Sequence, residues 1–506
     1  MIWSRLKIWY GGSFARKPAK SLAVFTVVSS LFWIVQTSLC HRILPLDVIE
    51  AIVWGEEMQW GQMKSPPLSG WLAALFSYLS GHGDWGLYLL GQLTFICAVY
   101  FVYKLAREFF DEYGAAAAAL LLFFLYYYMP PAMKFCSHST QFALLPAVGW
   151  FFWRGVRDNR LRDWCLLALF AALATLGKYS AVQVLLGCLV FMIICPAARK
   201  RFGAPGPYLA AGLYLLLLLP HFLWLLDHDF LPVKHLSERL EDKDKGFFTA
   251  FEAVLMVLMP YVILPGLLIL MRLPERSSWR FFRQGLPRAW DDLRLQALIY
   301  SLVLTLVPES FYLFPVCLGG SIVLAWFSYL AGFTGITAVA LLPQGITEKI
   351  FRRLCLVLWC YFVVLFIGTA VDVMSRPRLR IHSDPQAIVG MAEKFYGERS
   401  GGKKIPLVYG DRWLAGVIQN YSPHRPRACV YGDLCNMELY RDRLKREGAL
   451  IIFKGRKDYS ADFLAAGLEP VELRPFEHTF KAQFGRRKRT TLFLGYLAPE
   501  KSGRKK

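Results

Sequence analysis

The chain has 506 residues, of which 56% are hydrophobic and 15% aromatic, with a mean hydropathy of +0.37. Its formal net charge of +21 is spread over short loops and the tail, with no zinc-finger spacing or RNP motif beside it. Nucleic-acid binding is therefore excluded, and anionic lipid headgroups are the partners that this charge fits. Apolar residues fall in blocks of the length needed to cross roughly 30 Å of hydrocarbon, where only helices or closed barrels satisfy the backbone.

The basic N-terminus MIWSRLKIWYGGSFARKPAK precedes the first apolar run, 21–39, and no A-x-A-like cleavage site follows. This predicts an uncleaved first helix with a cytoplasmic start. Further spans are expected near 84–103, 114–130, 140–155, 164–177, 181–197, 207–226, 250–271, 294–308, 311–330 and 354–373. The stretch from Leu330 to Gln344 is apolar enough for one more span or a re-entrant piece. Exits on the cytoplasmic side should be basic. They carry Lys104 and Arg107, Arg154 to Arg162, Arg199 to Arg201, Arg272 to Arg294, and Lys349 with Arg352 and Arg353. The fold class expected is an all-α polytopic membrane protein of about 11–13 transmembrane helices, by the length rule. It has interfacial amphipathic helices and a small C-terminal α/β periplasmic domain, with the transmembrane domain at 1–373 and the periplasmic one at 374–506. In that last segment β-like runs (IPLVYG, RACVYG, ALIIFKG, TTLFLGYL) alternate with helix-like ones (RWLAGVIQNY, MELYRDRLKREG, SADFLAAG). Its basic start, SRPRLRIH, runs against the positive-inside rule.

Most cysteines lie in apolar runs as small buried hydrophobes. Cys429 and Cys435 stand in a polar segment without a second ligand pair at metal spacing, and a disulfide between them is expected if they face an oxidising compartment.

The loop after the first span, LPLDVIEAIVWGEEMQWGQMKSPPLSGWLAALF, is acidic and rich in tryptophan. A carboxylate at the membrane surface can act as general base toward a sugar hydroxyl or a phosphate, and solvated acids of an interfacial helix are the plainer reading. Lys178 lies between two apolar runs, where a charge is either functional or snorkelling. Glu309, in VPESFYLF, has the same standing, with a polar turn as its plainer reading. His221, Asp227, His228, Asp229, Lys234 and His235 gather around one span end. They suit headgroup contact better than a metal, for which no ligand geometry is legible. Lys134, His138 and Gln141 are further candidates of the same kind.

The acidic loop resembles the first external loop of the bacterial family-39-type glycosyltransferases of the glycosyltransferase C superfamily. That family includes lipid A aminoarabinose transferases and relatives of the protein O-mannosyltransferases. Asp47 falls on the family's leading acid, Trp60-Gly61 on its Trp-Gly, and Pro66-Pro67-Leu68 on its Pro-Pro-Leu. Val48 and Ser65 replace the usual Glu and His. MKFCSHSTQF (with Cys136 for an Asn), LGKYSAVQVLLG, PHFLWLLDHDFLPVKH and YGDRWLAGVIQNYSPHRPR are similar to further family segments, in the same order. The resemblance implies an inverting transferase that takes a sugar from a polyprenyl-phosphate donor to a lipid or glycan acceptor such as lipid A. Asp47 would be its base, with Glu50 as a substitute. Lys178, with Lys64 or His221, would hold the leaving phosphate; from their placement at span ends and between apolar runs, Lys64, Lys134, His138, Tyr179, His221, Asp227, Asp229 and Glu309 are expected to contact substrate. It places the site on the periplasmic face of the bacterial inner membrane. No cofactor is implied, and a divalent metal has no ligand set behind it. The rival reading is a transporter or lipid flippase, although paired repeats with broken helices are not evident.

Overall fold

A helix rises 1.5 Å per residue, so runs of about 20 apolar residues span a hydrocarbon layer without exposing backbone polar groups. The computed structural model describes residues 16–125, 128–129, 134–240, 247–272, 292–317, 327–376, 380–429, 437–455, 463–464, 467–481 and 487–500. Among them six helices are long and apolar enough to cross: Pro18–Cys40, Trp85–Ala106, Pro205–Asp227, Phe251–Arg272, Leu293–Phe314 and Glu348–Ser375. A seventh is reached if Ala181–Ile194 and Pro196–Gly203, bent by 97°, form one broken span. The chain is a multi-pass helical membrane protein. Other segments expected to span are shorter or more polar here. The run at 114–130 becomes a helix Glu112–Leu120 closed by a 3-10 turn Leu121–Phe124, and Leu161–Gly177 has 17 residues.

One expected boundary is corrected. The spans read as 294–308 and 311–330 share a continuous helix, Leu293–Cys317, so Glu309 stands in a helix body and not in a polar turn. The uncertain stretch after it forms a 3-10 turn Leu330–Phe333 and a helix Thr334–Ala340, buried throughout and too short to span.

The chain divides into two compact units. The first comprises 1–34, 60–68 and 89–366; the second gathers 35–59, 69–88 and 367–506. In the first unit small residues allow helices to approach closely, the usual device where both lipid and protein are apolar. Ala115 to Ala119 are all fully buried. A Cβ on Gly335 would lie 2.2 Å from the Ala118 carbonyl oxygen, so only glycine fits. A hairpin of Ser137–Asp158 and Leu161–Gly177 turns on Asn159, whose left-handed φ of 52° suits asparagine, and Arg154 pairs with the buried Asp163 at 3.1 Å. This hairpin sets the start of its first helix beside the end of its second.

The second unit contains a five-stranded sheet of order β2-β1-β3-β5-β4, with β1 Leu407–Gly410, β2 Arg427–Cys429, β3 Ala449–Lys454, β4 Arg474–Lys481 and β5 Arg487–Leu497. β1 pairs parallel with β2 and β3, while β5 runs antiparallel to β3 and β4. The central strands are buried on both faces, as their unbroken apolar runs require. Asp411 caps the helix Arg412–Tyr421 by accepting from the Trp413 and Leu414 amides at 3.0 and 3.1 Å. Cys435, and with it the expected disulfide to Cys429, lies outside the described residues.

Candidate functional site

The hairpin of the first unit delivers a lysine to a structured polar pocket. Gln141, fully buried, donates to the Ala174 carbonyl at 2.9 Å, the same carbonyl that accepts from the Lys178 amide. Gly177 leaves room for this: a Cβ there would lie 2.6 Å from Thr140 Oγ1 and 2.9 Å from Gln141 Nε2. Lys178 thus leaves the helix end in extended backbone, φ −166°, at the negative pole of the helix dipole.

Its ammonium lies 2.8 Å from His138 Nε2 and 5.2 Å from the centre of the Tyr329 ring. His138 stacks on that ring at 5.4 Å, and Tyr329 shares a 3.1 Å hydroxyl contact with Tyr312. An ammonium can only donate, so Nε2 accepts and the ring proton sits on Nδ1, 3.6 Å from Cys136 Sγ. An imidazole lone pair, a π face and a helix terminus orient the charge. An ammonium held in this way can also meet a phosphate oxygen.

The next residue begins a second chain of contacts. Tyr179 donates to His221 Nε2 at 3.1 Å, and His221 Nδ1 donates to the Trp60 carbonyl at 2.6 Å, which fixes one tautomer throughout. Trp224 stacks between His221 and His228, at 6.3 and 4.2 Å. Gly61 is required beneath it, since a Cβ would lie 2.0 Å from the indole. Trp60-Gly61, Lys178-Tyr179 and Pro220-His221, scattered through the sequence, therefore meet in one place. Ser65 bonds Gln62 at 3.2 Å within the intervening turn, and Lys64 beside it is half-buried. The Lys134 carbonyl accepts from Ser139 at 3.1 Å. Asp227 closes the helix Pro205–Asp227 that carries His221 and Asp229 follows it with a φ of 49°, both exposed. Tyr329, Tyr312 and the Trp60 carbonyl were not foreseen. A tyrosine in an apolar run carries no sequence signal of its own, and a carbonyl carries none at all.

In the second unit the acidic loop forms a helix, Leu46–Glu56, buried from Val48 to Gly55. Glu50, expected as a substitute base, is buried and lies 2.8 Å from Arg412. Glu56 accepts from Gln419 at 2.6 Å and pairs with Arg425, and Glu57 accepts from Tyr440 at 3.0 Å. Gly416 packs on Ile49. Glu50 and Glu56 therefore hold the helix Arg412–Tyr421 in place, while Glu57 reaches the helix Met437–Glu447. Asp47 occupies the first turn of Leu46–Glu56 and is half-buried. The single Tyr421 hydroxyl donates to the Asp84 carboxyl, whose two oxygens lie 3.0 and 2.8 Å away, and burial pushes that carboxyl up to about 6 against the bond.

Fold and site together define a multi-pass membrane protein with a lysine, two histidines and aromatic residues gathered at helix ends. Comparison with known proteins narrows this further. The family described as dolichyl-phosphate-mannose-protein mannosyltransferase matches residues 64–224, a segment that contains Lys178, His138 and His221. The lipid A galacturonosyltransferase RgtD of Rhizobium johnstonii is 24% identical over 197 residues, 38% of this chain and 41% of that protein. The chain thus aligns with about two fifths of that relative's length. Two structures of ArnT from Cupriavidus metallidurans match 94% of this chain and 98% of theirs. The one bound to undecaprenyl phosphate has a TM-score of 0.58 at 16% identity, and the apo state 0.60 at 15%. The chain carries the ArnT fold.

Proposed function

We propose that this protein is a glycosyltransferase that moves a sugar from a polyprenyl-phosphate donor to a lipid or glycan acceptor of the cell envelope, with inversion at the anomeric carbon. The reading rests above all on Lys178, a lysine oriented by His138 and Tyr329 at the junction of two apolar helices. A lipid-linked leaving phosphate needs such a group. Its support from outside is an ArnT fold seen elsewhere with undecaprenyl phosphate, and a sequence relative that acts on lipid A.

Asp47 takes the proton of the acceptor hydroxyl as its oxygen bonds to the anomeric carbon. The bond from that carbon to the phosphate oxygen breaks, and its electron pair stays on the polyprenyl phosphate, which Lys178 stabilises. His138 and Tyr329 position the ammonium; the Tyr179–His221–Trp60 chain fixes the backbone beside it. The protein lies in the bacterial inner membrane with this site on the periplasmic face, and residues 374–506 form the periplasmic α/β part. The acceptor class is lipid A, its core sugars or another envelope glycan.

The test is release of free polyprenyl phosphate from a lipid-linked sugar by the purified chain in the presence of an acceptor. Wild type should release it in proportion to glycosylated acceptor, and Asp47→Asn should fall by at least a hundredfold, within the span typical of general-base loss. Undiminished release by Asp47→Asn removes that residue from the chemistry. No release with any donor and acceptor offered overturns the reading.

A further inference from the structure

Beside the segment that carries Tyr329, the first unit contains a cavity of about 190 Å³. Its wall is apolar, built from Phe124, Leu125, Met256, Met259, Ile263 and Phe327 with a few neighbours, and it includes one carboxyl group, that of Glu309. Glu309 is 2% exposed, and its Oε2 meets no hydrogen-bond partner among the described residues. Pro260, also in the wall, withholds the N–H that the Met256 carbonyl would take in an unbroken helix. Glu309 thus presents, in the wall of this cavity, a buried polar atom with no partner among the described residues, a state that costs free energy unless a ligand or water meets it.

Its approach is from the bilayer. Met259 and Ile263 line it and are also about half exposed, at 50% and 47%, on a helix whose other outward residues include Leu255, Leu258 and Val262. A group that arrives through hydrocarbon brings a hydroxyl far more cheaply than an ammonium. A carboxyl oxygen accepts from a hydroxyl in either protonation state. An engineered cavity of roughly 150 Å³ takes benzene, so this one holds a stretch of roughly six to eight carbon atoms.

We infer that the Glu309 cavity binds the hydroxyl-bearing segment of an aliphatic lipid chain, with the hydroxyl donating to Glu309 Oε2. The inference is testable without any sugar donor or acceptor.

The experiment uses the full chain in lipid nanodiscs and a long-chain secondary alcohol that carries a diazirine, with labelled peptides read by mass spectrometry. Labelling should fall on the helix around Met256 to Leu264. Methyl 3-hydroxytetradecanoate should displace the probe at a roughly fivefold to tenfold lower concentration than methyl tetradecanoate, the size expected of one hydrogen bond. Glu309→Gln, which keeps an acceptor oxygen, should retain that ratio, and Glu309→Leu should abolish it. Equal displacement by the two esters, or a ratio that survives in Glu309→Leu, overturns the inference. Stronger displacement by tetradecylamine than by the hydroxy ester also overturns it, because the site would then be one for cations. Met259→Trp supplies a control that leaves the carboxyl intact: it should fill the cavity and remove labelling, and labelling that persists counts against the site.

Discussion

Lys178→Met removes the ammonium but keeps much of the stem. At hydrogen-bond distance from a phosphate oxygen, an effective dielectric of about 20 gives roughly 5 kcal/mol of attraction, part of it offset by desolvation. Loss of one preorganised donor to a developing oxyanion typically lowers kcat by about 10²–10³, or 3–4 kcal/mol. Release of polyprenyl phosphate should fall by that factor, with the thermal unfolding midpoint little changed, because the side chain is not in the core. His138 acts through Lys178, so its variants separate positioning from packing. His138→Ala leaves the ammonium without its 2.8 Å acceptor and should lower kcat about tenfold, as one lost charged hydrogen bond predicts. His138→Gln offers a carbonyl oxygen to the same ammonium and should recover most of that loss. The assay is single-turnover release in nanodiscs, with KM measured separately. Lys178→Met within twofold of wild type refutes the phosphate role. Equal losses in His138→Ala and His138→Gln refute the positioning role.

Three further outcomes follow from packing and charge. Gly335→Ala forces a Cβ to 2.2 Å from the Ala118 carbonyl and should destabilise the first unit by about 1–3 kcal/mol, read from its unfolding in mixed detergent. Glu50→Ala leaves the Arg412 guanidinium without its partner and should cost about 3–5 kcal/mol, while the paired change Glu50→Leu with Arg412→Leu should recover much of it; proteolytic susceptibility of the second unit reports both. Asp84, raised from an ordinary 3.8 to about 6, binds its proton more tightly folded than unfolded. Its contribution is therefore fully present below about pH 4 and is lost as pH rises through about 6, worth at most about 3 kcal/mol. The second unit should unfold at lower temperature at pH 7 than at pH 5. Asp84→Asn should flatten that difference, and parallel profiles for the two proteins would count against the assignment.

The parts of this molecule that were legible from its sequence are those in which one residue type carries the physics. Apolar blocks mark Pro18–Cys40, Trp85–Ala106 and Glu348–Ser375 within a few residues of expectation, because transfer into hydrocarbon depends on composition more than on partners. Four strands of the sheet stood out as β-branched and aromatic runs. The fourth in chain order, β4 (RPFEHTFK), did not, since a partly exposed strand with a proline and alternating charges lacks that signature. The helix Pro385–Ser400 was passed over although its buried Ile388, Val389, Ala392, Phe395 and Tyr396 fall at helical spacing. The functional cluster divides along the same line. Lys178 was legible because a charge between apolar runs is conspicuous whatever surrounds it. Tyr329, which supplies the π face to Lys178 and stacks on His138, comes from a helix end more than 150 residues away in an apolar stretch, and nothing local distinguishes it from core. Glu50 shows the converse. It reads as a solitary acid in a tryptophan-rich loop, and its partner Arg412 stands 362 residues later. Three-dimensional pairing of this kind, between residues far apart in the chain, is what spacing cannot encode.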